Sequence, residues 1–334
     1  MQKANNYAGI DNFRMIAALL IVAIHTAPFS SLNTNLDTIF TLIIARIAVP
    51  FFLITTGYFV ISQYDNPVKS KLFILKFLKK TAILYSIAIV IYLPINFYAG
   101  HFDNITPLTL LKMLIFDGTM YHLWYLPASI LGSSLTYLFL KIFPYNAVIS
   151  FSVILYLIGM LGDSYYGLIA EFYSLSQIYS FLFELSTYTR NGLFYVPIFL
   201  IIGISIRKQK KALSVKTSFI YFFISLTFMI VEGIILHDFE IPRHDSMYLF
   251  LLPCTYFLFN LLLAIGGKDR AELRPYSMFI YIIHPMMIIV IRAFAKFINQ
   301  DNILIENSLI HYVAVCLASI FFAVTINKLQ KHIN

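Results

Sequence analysis

Arg14 and His25 stand eleven residues apart in one apolar run. At about 100° and 1.5 Å per residue, that is three helical turns plus about 20°, and roughly 16 Å along the axis. Both side chains therefore leave the same side of one helix. Asp11, one turn before Arg14, lies close to that stripe. A charge inside a bilayer is costly, so it normally faces a polar interior and marks a site or a pathway. Imidazole takes and returns a proton near neutral pH, which acyl transfer to a hydroxyl requires. A lone histidine on an apolar helix is more often a hydrogen-bonded packing residue, and Arg14 can equally form a structural clamp with Asp11. The shared stripe is what makes His25 and Arg14 catalytic candidates, with Asp11 as a substrate contact.

Further polar residues interrupt other apolar runs. Arg46 precedes Val49-Pro50-Phe-Phe-Leu-Ile-Thr55-Thr56-Gly57-Tyr58. Pro50 and Gly57 weaken a helix there, and Thr55 and Thr56 can satisfy the freed carbonyls. Broken helices at membrane depth are where transporters hold small molecules, so Arg46, Thr55 and Tyr58 are substrate-binding candidates. The blander reading is a packed proline kink with Arg46 snorkelling outward. His122 and Trp124 open a later span in Tyr121-His-Leu-Trp-Tyr-Leu-Pro127. Aromatic residues there are ordinary interface anchors, yet both are also candidate substrate contacts. His284, in Tyr281-Ile-Ile-His-Pro285, interrupts another span and shares the ambiguity of His25. Glu232 is a weaker candidate for the same polar interior.

These residues need a membrane bundle to position them. The chain has 334 residues, 60% hydrophobic and only 12% charged, with a mean hydropathy of +0.79. A soluble domain carries about a quarter charged residues, so the chain reads as a polytopic membrane protein. Ten apolar segments are long enough to span, or nearly so, at about 13–30, 39–61, 81–99, 123–141, 147–161, 192–206, 218–236, 246–266, 276–298 and 308–326. Residues 107–117 read as a surface helix too short to cross. The fold class expected is an all-α bundle of about ten transmembrane helices, a single integral membrane domain over 1–334. The first span has no small-residue cleavage site and reads as retained rather than as a signal peptide.

Basic residues set the orientation. Alternate loops hold seventeen Lys and Arg on one side against five on the other, which puts both termini in the cytoplasm. The net charge of +8 is therefore topology and not a nucleic-acid face. Cys254 and Cys316 fall inside apolar segments, giving no metal-ligand spacing and reading as buried, inert thiols. Residues 162–191, with Asp163, Glu171 and Glu184, read as an outer cap.

Asp11-x-x-Arg14-x10-His25, Pro50-Phe-Phe-Leu-Ile-Thr-Thr-Gly57-Tyr58-Phe59, His122-Leu-Trp124-Tyr-Leu, Gly192-Leu-Phe and Tyr281-Ile-Ile-His284-Pro285 occur in this order over nearly the whole chain. The pattern resembles the acyltransferase-3 family, ten-helix membrane proteins that move acyl groups onto cell-surface carbohydrates. The resemblance implies His25 as the acyl-transfer base with Arg14 supporting it. Such proteins usually carry an Arg-x-x-Arg pair entering the third span; here the stretch is Lys76-Phe-Leu-Lys79-Lys80. Lysine meets phosphate as a point charge without bidentate geometry. Lys76, Lys79 and Lys80 are thus the candidates for holding an acyl donor such as acetyl-CoA.

Within that family the chain is most similar to the membrane domain of membrane-bound serine racemases of the vancomycin-resistance (VanT) type. That implies L-serine uptake or hand-over to a cytoplasmic pyridoxal-phosphate (PLP) racemase domain, which lies outside this sequence. Two functions follow: serine handling and, as the alternative, O-acyl transfer from a cytoplasmic donor. A membrane anchor for a partner enzyme is the bland third. The partners expected are the lipid bilayer, the small-molecule substrate and the racemase domain; neither a metal nor nucleic acid is expected.

Overall fold

The computed structural model describes residues 7–103, 105–268 and 270–333. Lys3 and Asn334 lie outside them, and the side chain of Lys331, counted in the topology, is not among those described. Among the described residues the regular structure is helical throughout. The helices of six residues or more are α1 (Ala8–Thr26), α2 (Thr34–Gln63), α3 (Pro67–Tyr98), α4 (Pro107–Lys112), α5 (Tyr125–Ile142) and α6 (Tyr145–Leu161). They continue with α7 (Tyr173–Leu185), α8 (Val196–Lys208), α9 (Val215–Asp238), α10 (Leu251–Ala264), α11 (Leu273–Phe297) and α12 (Ser308–Ile333). Each of the ten expected segments falls on a helix. Six helices among the described residues are long and apolar enough to cross a membrane: α1, α2, α3, α9, α11 and α12.

Helix starts follow local chemistry. The Asn66 side chain accepts from the Lys69 N–H at 3.0 Å, and Pro67 fills the first position of α3, where no N–H is needed. Thr106 does the same for Thr109 at 3.1 Å, with Pro107 following. The helix α4 then passes into a π-helical turn, Met113–Asp117, so 107–117 is helical as expected.

The second span differs from expectation in where it is irregular. Pro50 lies in the first turn of a regular segment, Ala48–Phe59, which runs through Gly57 without a break. A proline in a first turn removes only an N–H that has no intrahelical partner. The irregular stretch lies upstream, as a π-helical Thr38–Ile43 and a 3-10 turn Ile44–Ile47. Pro285 likewise leaves α11 unbroken.

The chain divides into two compact units. The first comprises residues 1–51, 211–233 and 253–334. Its core joins Ala18 and Val22 of α1 to Ile280, Met287 and Ile288 of α11 and to Val315, Cys316 and Ala323 of α12. Both Cys254 and Cys316 are buried free thiols, as expected.

The second unit comprises residues 52–210 and 234–252. Within it α2 and α8 cross at their glycines. A Cβ on Gly57 would stand 2.2 Å from the Leu200 carbonyl oxygen, and one on Gly203 2.2 Å from that of Ile54. The segment after α6 is pinned by the fully buried Asp163. Its carboxylate accepts from the N–H groups of Ser246 at 2.7 Å and Met247 at 3.0 Å. Residues 162–166 are thereby tied to the loop that follows α9.

Candidate functional site

In the first unit, α1 meets α11 at two polar contacts. Near their N-terminal ends, Arg274 Nε and Nη2 donate to the two oxygens of Asp11, each at 2.8 Å. This is a bidentate pair, the strong form of a guanidinium–carboxylate contact. Arg14 Nε stands 3.5 Å from the same carboxylate. Asp11 is almost wholly buried, so its charge is matched by two guanidinium groups rather than by water.

About 21 Å further along α1, His25 stacks on His284 of α11, ring centroids 5.3 Å apart and planes 21° from parallel. The His-Pro order explains how His284 is held. Pro285 has no N–H, so it cannot serve the Tyr281 carbonyl four residues back. His284 Nδ1 donates to that carbonyl at 2.9 Å and to the Ile280 carbonyl at 3.2 Å. Carbonyls only accept, so Nδ1 carries the proton, and in the neutral ring Nε2 keeps its lone pair. One backbone defect thus fixes the tautomer of a buried imidazole. What the arrangement offers chemically is a proton-accepting imidazole beside a second imidazole, with a carboxylate and a guanidinium further down α1 and a second guanidinium on α11.

Arg46, also in this unit, sits in the 3-10 turn with its Nε buried and, among the described residues, without a hydrogen-bond partner.

The remaining sequence candidates lie in the second unit. Tyr58 is buried and its hydroxyl accepts from Arg207 Nη1 at 3.1 Å. Thr55 is buried one turn earlier on α2. His122 is buried between the rings of Tyr92 and Tyr121, at centroid distances of 5.0 and 5.6 Å. Trp124 receives the guanidinium of Arg190 over its ring at 4.6 Å, and Tyr188 lies 4.5 Å from the same group. Lys76, Lys79 and Lys80 are exposed on α3.

Sequence reasoning missed Arg274 and Arg207, which it counted only as loop charges. Nothing local marks either: Asp11 and Arg274 are 263 residues apart, and Tyr58 and Arg207 are 149 apart.

The acyltransferase domain family, acyltransferase 3, matches residues 7–328. The chain belongs to this family. It is a multi-pass membrane protein, as its long apolar helices also indicate. An amino-acid racemase of Enterococcus faecalis is 43% identical over 334 residues, covering 98% of this chain and 46% of that protein. A serine/alanine racemase of Enterococcus gallinarum is 38% identical over 329 residues, covering 97% of this chain and 46% of that protein. The chain thus spans about half the length of the curated relatives it matches. The resemblance to racemases carried by the motifs is met by relatives named racemases. No solved structure matches the chain.

Proposed function

We propose that the chain is the membrane domain of a serine-racemase-like protein, and that the polar contacts of α1 and α11 handle L-serine for a cytoplasmic PLP-dependent racemase domain. The observation that carries the reading is the pairing of His25 with His284 above the Asp11–Arg274 pair, on helices that match racemase-named relatives. L-Serine offers a carboxylate, an ammonium and a hydroxyl. Guanidinium, carboxylate and imidazole groups are the complementary set, and all three stand on these two helices.

The proposed topology is ten spans with both termini in the cytoplasm. Two observations support it. The seventeen-to-five distribution of Lys and Arg is one. The other is that α1 and α11 run parallel, because Asp11 meets Arg274 near both N-terminal ends and His25 meets His284 further along both. The first and ninth of ten consecutive spans must cross in the same direction.

Purified protein in proteoliposomes tests the reading. Radiolabelled L-serine uptake is expected above that of empty vesicles, and His25→Gln or His284→Gln is expected to lower it at least about tenfold, in line with losing a positioned proton acceptor. A wild-type rate equal to empty vesicles overturns it.

One observation favours a second reading, membrane O-acyl transfer. His284 gives its Nδ1 proton to backbone carbonyls and stacks on His25, so two imidazoles stand together on α1 and α11, and the family name is that of an acyltransferase. Here His25, stacked on His284, would deprotonate an acceptor hydroxyl while Arg14 meets developing negative charge. Hydrolysis of acetyl-CoA that requires His25 would separate this from serine handling.

A further inference from the structure

The helix α3 has 32 residues, about 48 Å at 1.5 Å per residue. A bilayer's hydrocarbon core is roughly 30 Å thick, so about 20 residues suffice to cross it. Residues 81–98 contain no charged side chain, whereas the fourteen residues before them hold Lys69, Lys71, Lys76, Lys79 and Lys80. No acidic residue occurs between 67 and 98.

The two faces of α3 are sharply divided. Ser70, Ile74, Thr81, Tyr85, Ala88 and Tyr92 are buried, and at about 100° per residue they fall within about 60° of one another. Opposite them, Ile83, Ile87 and Val90 are half or more exposed. Lys76, Lys79 and Lys80 project into this same exposed arc, about 100° wide. The lysines therefore continue the outward, lipid-facing ridge of the helix and point away from the face that packs on the protein. Among the described residues no carboxylate pairs with them. Leu72, Phe73 and Leu75, interleaved with the lysines, are exposed as well.

We propose that Lys76, Lys79 and Lys80 bind the phosphate of an anionic phospholipid whose acyl chains lie along Ile83, Ile87 and Val90. The three ammonium groups stand at the end of the charge-free stretch, where headgroup phosphates lie. Their four-carbon stems can follow the apolar ridge while the charge reaches the headgroup layer. The site is independent of what α1 and α11 do.

Retention of lipid on the purified full chain, read by native mass spectrometry, tests the proposal with phosphatidylglycerol and phosphatidylcholine as probes. Wild-type protein is expected to retain phosphatidylglycerol preferentially. Lys76→Gln/Lys79→Gln/Lys80→Gln together should weaken that retention by roughly a hundredfold, the sum expected for three interfacial lysines. The matching triple Arg variant should keep it, since charge rather than lysine geometry is required. Lys210→Gln/Lys211→Gln/Lys216→Gln, with the same change in net charge elsewhere, should also keep it. Equal retention by the triple Gln variant and wild type overturns the proposal. So does an equal loss in the Lys210 control set, or displacement of the lipid by free acetyl-CoA, which would assign the lysines to a donor's phosphates.

Discussion

At the scale of single residues, the contact with most at stake is Asp11 with Arg274. Removing a partner from a buried, charge-assisted pair leaves the other group unmatched. Arg274 is about half exposed, which lets water soften the loss on its side. Asp11→Asn is therefore expected to lower stability by about 2 kcal/mol, measured as the thermal midpoint of the purified protein. Arg274→Lys, with Asp11 kept, should lose less than Asp11→Asn but still destabilise, because an ammonium cannot donate in a bidentate fork. An unchanged midpoint in Asp11→Asn would show that the pair does not stabilise the fold. The sequence made Asp11, Arg14 and His25 visible because helical period alone puts them on one stripe. The partner of Asp11 was not visible, since a pair 263 residues apart leaves no local pattern. His284 falls between these cases: the His-Pro order is local, but that it locks a tautomer beside His25 depends on the packing of α11 on α1.

Among elements, the crossing of α2 and α8 is set by Gly57 and Gly203 and not by Pro50. Gly57→Ala would bring a methyl group to 2.2 Å from a backbone oxygen, which the flexible end of a side chain cannot relieve. The helices must separate, and the expected destabilisation is about 2 kcal/mol or more. Gly266 meets nothing within 4 Å of an added Cβ, so Gly266→Ala should be neutral within about 0.5 kcal/mol. Thermal midpoints of both variants check this, and equal midpoints would mean that the crossing is looser than described. Propensity alone marks Gly57 as a helix breaker. A glycine in a packed helix, however, more often admits a close neighbour than a bend, and only the position of α8 distinguishes the two.

For the whole molecule, the strongest expectation is orientation. In a background with Cys254 and Cys316 replaced, Tyr173→Cys should react with a membrane-impermeant maleimide in intact cells. Ala212→Cys should react only after permeabilisation. Both residues are exposed, so accessibility across the membrane decides the outcome. The reverse pattern would invert the proposed topology. The ten apolar segments and the charge asymmetry were legible because the bilayer imposes a length and a sign rule on each span in turn. The shorter helices α6, α8 and α10 show the limit of that rule, since composition over a short run does not say how far a helix extends.

By itself, then, the sequence determined whatever the bilayer or the helical repeat enforces locally: helical spans, a lysine-rich side, the Arg14–His25 stripe and the motif order that marks the family. Tertiary structure alone decided which groups meet. It brought Arg274 to Asp11, stacked His25 on His284, gave Tyr58 to Arg207 and turned Lys76, Lys79 and Lys80 outward on α3. The physical reason is range. Periodicity and hydropathy act over one or two turns, whereas these pairings depend on how helices far apart in the chain fill the space between them.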